Sequence, residues 1–396
     1  MKKFDLIENN SLSTFLKFIL YFGISLYPIY IFGSGLIQIG HFLLLIFSII
    51  VLIKIGIPIN RYFYTFLIFL AYCYLVSIYY LFYDLYVFKE IRLDISVFKN
   101  PSIKYLKELL FLTYNFILTL SIISFFNNQK KSNLVSYALV TAILIILYAV
   151  LTNVLLSKST FRFAGYFNNP NQLGYFSICC FSLIYLLYRN LYINYFSMII
   201  CFIVLISFSI LTLSKAAYIS LFLCSVFAIK PFNLKYSKIL ETAYFLSLIC
   251  VLIIFSQKIM DMWFFERILN ITKESDSSFA HRGYNIFFES NYLQSLFGIG
   301  LKNMYTIHTY EIHSTFGMIL TCYGLAGFLI FFALMLFWIL DIKNSYGFRG
   351  VICVCGPSLL YGLTHNGIRF SMFWILFAIS ISLCRELNRQ KNFKDI

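Results

Sequence analysis

Apolar residues run along this chain in long stretches separated by short polar connections. A helix needs about 20 predominantly apolar residues, range about 17–25, to cross a bilayer core. Twelve stretches approach that length, at roughly 14–32, 36–53, 62–83, 108–126, 134–156, 173–188, 192–213, 216–229, 239–256, 315–340, 350–364 and 370–384. The segments 216–229 and 350–364 are short, which is tolerated where helices tilt or break beside a protein cavity. The first run, Phe15 to Phe32, is followed by further spans and has no small-residue cleavage site, so it reads as an anchor. The pattern predicts an all-α, polytopic membrane protein of about twelve transmembrane helices. No repeat of fixed period appears, so residues 1–396 form a single membrane domain.

Two connections are long, 84–107 and 257–312. Within the second, between spans nine and ten, "MDMWFFERILNI" (260–271) has the spacing of an interfacial helix. "HRGYNIFFESNYLQSLFGIG" (281–300) predicts a second helix that ends at a Gly-rich turn, with Arg282, Asn285 and Glu289 on one polar face.

Composition agrees. The 396 residues are 61% hydrophobic and 12% charged, against about 45–50% and about 25% in soluble domains. Mean hydropathy is +0.83. The net charge is +15, yet no soluble basic domain is present to hold nucleic acid. Lys and Arg instead mark cytoplasmic loops. With the N-terminus inside, sixteen of them fall on cytoplasmic segments and four, Lys158, Arg162, Lys215 and Arg369, on short outer ones. Both termini are therefore expected in the cytoplasm. The ten cysteines all sit in apolar runs, as small packing residues, and none has metal-ligand spacing.

The outer face then collects Arg162, Lys215, Arg282, His308, His313, His365 and Arg369. Ionisable groups at such depth usually face a cavity or pathway. Each also has a plainer reading, as a snorkelling flank, a loop charge or a satisfied interfacial histidine. Arg162 opens "RFAGYFNNPNQLGYF", where Pro170 holds Asn169 extended and "PNQLG" starts a helix. A helix N-terminus beside an arginine is a ready anion site, which draws in Asn169, Asn171 and Gln172. His313 stands at the entrance to the tenth span, where the helix end favours neutral imidazole. Arginines, a lysine and a neutral histidine suit phosphate recognition and base catalysis. With apolar helices beneath, such a site fits a lipid-linked sugar diphosphate, with His365 and Arg369 in support.

Over residues 160–335 the chain resembles the superfamily of O-antigen polymerases and O-antigen ligases, bacterial envelope glycosyltransferases. Arg162, Gly165, Asn169, Pro170 and Asn171 look like its R-x-x-G-x-x-x-N-P-N signature. Lys215 in "SKAAY" stands in place of an arginine, and Ser314 where an asparagine is common. Arg282, with Gly298 and Gly300, is similar to the family's arginine before G-x-G, and His313, with Gly324 and Gly327, to its histidine before G-x-x-G. The resemblance implies a transfer, without metal or other cofactor, of a glycan from undecaprenyl diphosphate at the periplasmic face of the inner membrane. It implies His313 and Arg282 as catalytic residues, and Arg162, Lys215 and Arg282 as diphosphate contacts. The acceptor is a second lipid-linked glycan in a polymerase or lipid A-core in a ligase. The membrane lipids, a chain-length regulator and a flippase are further partners. The N-N-P-N-Q-L-G form looks more like polymerases. A transporter of lipid-linked glycan is the reading from another class, and it should place charges near mid-membrane.

Overall fold

The computed structural model describes residues 10–33, 37–87, 102–128, 133–155, 162–229, 282–307 and 312–394. Among these the fold is entirely helical, with no strand. The helices are α1 (Asn10–Ser25), α2 (Ile39–Lys54), α3 (Arg61–Val87), α4 (Ser102–Asn128), α5 (Leu134–Leu155), α6 (Pro170–Arg189), α7 (Tyr195–Leu211) and α8 (Lys215–Ile229). Then come three short helices, α9 (Tyr284–Glu289), α10 (Tyr292–Phe297) and α11 (Gly300–Ile307). The long α12 (Thr315–Gly350) passes through a π-helical turn, Val351–Cys355, into α13 (Gly356–Gly362), and α14 (Ser371–Lys394) closes the chain. The expected ninth span, the interfacial helix at 260–271 and His308 lie outside the described residues.

Six stretches among the described residues are long and apolar enough to cross a membrane: Arg61–Tyr80, Leu106–Asn127, Leu134–Thr152, Pro170–Arg189, Thr315–Gly362 and Ser371–Asn388. Ser11–Ser25, Ile39–Lys54, Tyr195–Leu211 and Ile219–Ala228 are shorter apolar helices. In α6 every residue from Leu173 to Leu187 is buried, and in α14 every residue from Ser371 to Cys384. These two helices form the centre, apolar on all sides as a fully enclosed helix must be. The flanking α3 and α5 instead expose Leu67, Ile68, Leu75, Leu144, Tyr148 and Leu151, apolar surface that lipid would cover.

The stretch Thr315–Gly362 is not one rod. Forty-eight residues in a straight helix would reach about 72 Å, at about 1.5 Å each. Its two ends instead touch: Ser314 Oγ donates to the Gly362 carbonyl at 3.1 Å, and Thr315 N to the His365 carbonyl at 3.2 Å. The chain therefore folds back on itself. It turns at two glycines, Gly324 (φ 62°, ψ −170°) and Gly347 (φ 73°, ψ −174°), in a backbone region open essentially to glycine alone. Both open the same motif, "YGLAG" at 323–327 and "YGFRG" at 346–350. The second glycine of each lies against the tyrosine, leaving 2.4 Å between a Cβ built there and the Tyr323 or Tyr346 Cβ. The π-helical turn leaves carbonyls off the regular ladder, and neighbours donate to them. Ser182 Oγ reaches Cys353 O at 3.0 Å, and Cys224 Sγ reaches Ile352 O at 3.2 Å.

The connections sort to two ends. At one end, Phe163 N donates to Leu211 O, Tyr30 N to Tyr166 O and Ile299 N to Thr321 O. At the other, Arg61 pairs with Asp341, Tyr62 donates to the same carboxylate at 2.5 Å, and Asn190 Nδ2 donates to the Tyr346 hydroxyl at 2.8 Å.

Residues 281–300 do not form the single helix that their periodicity predicts. Gly283 is left-handed (φ 80°) and Ser290 is extended, with φ −71° and ψ 151°. Asn291 then caps a new helix by accepting from Gln294 N. Arg282 consequently precedes α9 rather than sharing a helical face with Asn285 and Glu289. Gly298 packs into the Gly324 corner, where a Cβ on Gly324 would fall 2.5 Å from Gly298 N and from Leu296 O.

Ala at Gly324 meets both backbone strain and that clash, whereas Gly347 has nothing within 4 Å of an added Cβ. Gly347→Ala should therefore cost only the strain, about 1–3 kcal/mol, and Gly324→Ala clearly more. Thermal unfolding of the two variants in detergent checks the order, and equal losses would contradict the docking of Gly298 at that corner.

Candidate functional site

The segment that starts at Arg162 is irregular until Asn169. Asn169 is extended (φ −146°, ψ 135°), and its side chain accepts from Asn171 N at 2.8 Å. With Pro170 at the first helical position this is a well-formed start for α6. Arg162 folds over that start. Its Nε donates to Thr212 O at 3.0 Å and its Nη2 to Asn171 Oδ1 at 3.0 Å. The two bonds tie the end of α7 and the start of α6 to one guanidinium. Gln172 Oε1, one residue further, is a buried acceptor with no hydrogen-bond partner among the described residues. Asn168 reaches away instead, donating to Phe32 O at 3.0 Å.

The hairpin ends lie beside it. Ser314 caps α12 by accepting from Gly317 N at 3.1 Å, and its Oγ also meets the Tyr284 hydroxyl at 2.9 Å. Tyr284 donates to Leu363 O at 3.0 Å. Gly317 is close to the chain before α9: a Cβ there would stand 1.8 Å from the Arg282 carbonyl oxygen. Thr321 Oγ1 donates to Gly283 O at 2.8 Å. The Arg282 backbone is thus held against the first turn of α12; His313, two residues before that helix, is exposed.

Tyr361, at the end of α13, joins the two halves. Its hydroxyl donates to Asn171 O at 2.9 Å. Its ring stacks on Tyr175 of α6 on one side, 4.8 Å between centroids, and on His365 on the other, 4.3 Å with a 15° tilt. His365 ends up where the cations meet. Burial pushes its pKa down to about 4, and His313, Arg282 and Arg162 each lower it further. Arg162, Arg282 and His313 come from different parts of the chain, and each is near enough for its charge to act on His365.

Of the other expected site residues, Lys215 opens α8 directly after Ser214, and its side chain lies outside the described residues. Arg369 is turned elsewhere. It pairs with Glu108 of α4 at 2.6 Å, and Asn115 donates to the carbonyls of Ile368 and Arg369. Tyr361, Tyr284 and Thr315 are the contributors that sequence reasoning passes over. Nothing in the sequence singles out the first two among its 31 tyrosines.

What the arrangement can do follows from its charge. Two guanidinium groups and two imidazoles, with donors fixed by the backbone, can bind a phosphate-type anion. Among the described residues no group of three or more His, Cys, Asp or Glu side chains could hold a metal ion. Beside the site, Ile29, Thr141, Leu144, Ile145, Tyr148 and Tyr166 line an open apolar groove of about 370 Å³. No protein-family model matches the chain, and no curated protein matches it.

The unfolded histidine takes its proton near pH 6.5, but folded His365 holds out to about 4. Between those values the unfolded state binds the extra proton. The stabilisation is complete above about pH 6.5 and is lost as pH falls toward 4. Melting in detergent at pH 7.5 and pH 5 should show wild type losing stability, with a smaller loss in His365→Gln. An identical loss in both proteins would mean His365 is not held neutral.

Proposed function

We propose that the protein is a membrane glycosyltransferase that takes its glycan from a lipid diphosphate. The observation that carries this reading is the meeting of Arg162, Arg282 and His313 around a neutral His365. An anion with two adjacent phosphates satisfies both guanidinium groups, and His313 is exposed to receive a substrate proton. The reaction proceeds by displacement. An acceptor hydroxyl gives its proton to His313 and its oxygen attacks the anomeric carbon. The bond from that carbon to the diphosphate oxygen breaks on the opposite face, so the configuration inverts. The arginines take up the charge that develops on the departing diphosphate. The lipid lies in the apolar groove beside Tyr166, which belongs to the same short segment as Arg162.

Within that class we favour polymerisation of undecaprenyl-diphosphate-linked repeat units of O-antigen or a related surface polysaccharide, because the opening "NNPNQLG" is similar to that of polymerases. The full topology is then twelve spans with both termini in the cytoplasm and the site on the periplasmic face. Ligation to lipid A-core uses the same donor chemistry, and the two are separated by what accumulates.

Deleting the protein should leave lipopolysaccharide that carries a single repeat on core, read on a gel. Bare core together with lipid-linked polymer would instead identify a ligase, and unchanged banding would remove both readings. His313→Ala should abolish transfer while the protein still inserts and melts normally. Arg162→Ala should lower kcat by about 10²–10³-fold, the usual loss when one charge-stabilising donor is removed. Arg369→Ala should instead be felt in stability, through the orphaned Glu108 carboxylate.

A further inference from the structure

The turn from Leu363 to Phe370 joins α13 to α14 and holds one imidazole in a single orientation. Its backbone is fixed first. Thr364 N and His365 N both donate to Tyr361 O, at 3.0 and 2.9 Å. Thr315 Oγ1 donates to His365 O at 3.1 Å and accepts from Gly367 N at 2.8 Å. The ring is fixed next. One face lies on Tyr361, which is itself backed by Tyr175. At the ring edge, Nδ1 is 2.9 Å from Thr364 Oγ1.

That last contact couples the tautomer to the Thr364 hydroxyl, whose one hydrogen can face Nδ1 or Tyr361 O, 3.2 Å away. Turned toward Tyr361 O, Thr364 Oγ1 accepts from Nδ1–H, and a neutral imidazole then leaves Nε2 as a bare lone pair. Among the described residues Nε2 has no hydrogen-bond partner. The cationic neighbours oppose a second proton on the ring.

Resting on the glycosyltransferase reading, we infer that His365 Nε2 accepts a hydrogen bond from a hydroxyl group of the glycan, and that Thr364 is the positioning residue that sets this tautomer. A bare acceptor set beside guanidinium N–H donors is what distinguishes the sugar from the diphosphate. The guanidinium groups take the phosphate oxygens, and Nε2 takes an O–H. A site built this way rejects an analogue that lacks the hydroxyl, because the acceptor is then left dry.

The test reads the proton directly. In bilayers, with histidine nitrogens labelled and His365→Gln used for assignment, nitrogen NMR of the full chain at pH 7 should show protonated Nδ1 and bare Nε2 at His365. Thr364→Val should shift His365 toward the other tautomer, and Thr364→Ser should keep the original one. With a lipid-diphosphate-linked repeat unit as substrate, Thr364→Val should raise KM about tenfold with little change in kcat, and Thr364→Ser should restore it. A wild-type ring protonated at Nε2, or at both nitrogens, overturns the assignment. A Thr364→Val protein with the tautomer switched and KM unchanged overturns the hydroxyl contact. If wild type transfers nothing while the NMR result stands, it is the glycosyltransferase reading that has failed.

Discussion

A backbone amide or carbonyl in hydrocarbon has no water to fall back on, and each one left unsatisfied costs several kcal/mol. Irregular chain at membrane depth must therefore bond to other protein. At the site end the connections do this for each other: Phe163 with Leu211, Tyr30 with Tyr166, Ile299 with Thr321, Thr315 with His365. Side chains complete the pattern where backbone cannot. Tyr72 reaches the carbonyls of Phe297 and Tyr323, and Tyr80 donates to Gly298 O at 2.6 Å. The convergence of Arg162, Arg282, His313 and His365 is a by-product of this mutual satisfaction. Once the loops are bonded together, the side chains they carry are near neighbours.

That convergence has an electrostatic cost. Two guanidinium groups that act on a partly buried imidazole oppose its protonation, and the low dielectric around it magnifies the effect. The protein meets the cost in two ways. Arg162 is anchored by neutral oxygens, Thr212 O and Asn171 Oδ1, which place its guanidinium over the start of α6. His365 is kept without its second proton. The pairing of Arg369 with Glu108 shows the other solution, a cation neutralised by a buried carboxylate.

The apolar runs were legible because lipid imposes a length and a composition. The stretches expected at 108–126, 134–156 and 173–188 lie within or nearly on α4, α5 and α6. The helix start at Pro170 was legible from residue types alone, since Asn before Pro is a strong local signal. The turn at Gly347 falls in the polar connection expected between the stretches 315–340 and 350–364. The corner at Gly324 was not legible, because it interrupts a helix inside an apolar run without any change in polarity, and "YGLAG" reads equally well as a packing face. The break at Ser290 was hidden for a related reason. Apolar residues keep helical spacing across it, while Gly283 and Asn291, each an ordinary loop residue, set the real boundaries. In the site, the arginines and His313 stand out by charge in an apolar chain. Tyr361 does not, because its role depends on stacking between residues that are distant from it or on the far side of a turn. The partner of Arg369 lies in another helix far back along the chain, and no local pattern points to it.

The closure of Thr315–Gly362 has a mechanical meaning. His313 precedes one end of that folded stretch and His365 follows the other, and Ser314 and Thr315 lock the ends together. The two imidazoles therefore ride on a single lever. If the bundle loosens to let a bulky headgroup enter sideways, their mutual spacing is preserved, and what opens is the gap across to the α6 start, where Arg162 sits. Tyr361, whose hydroxyl donates to Asn171 O across that gap, then has to release it.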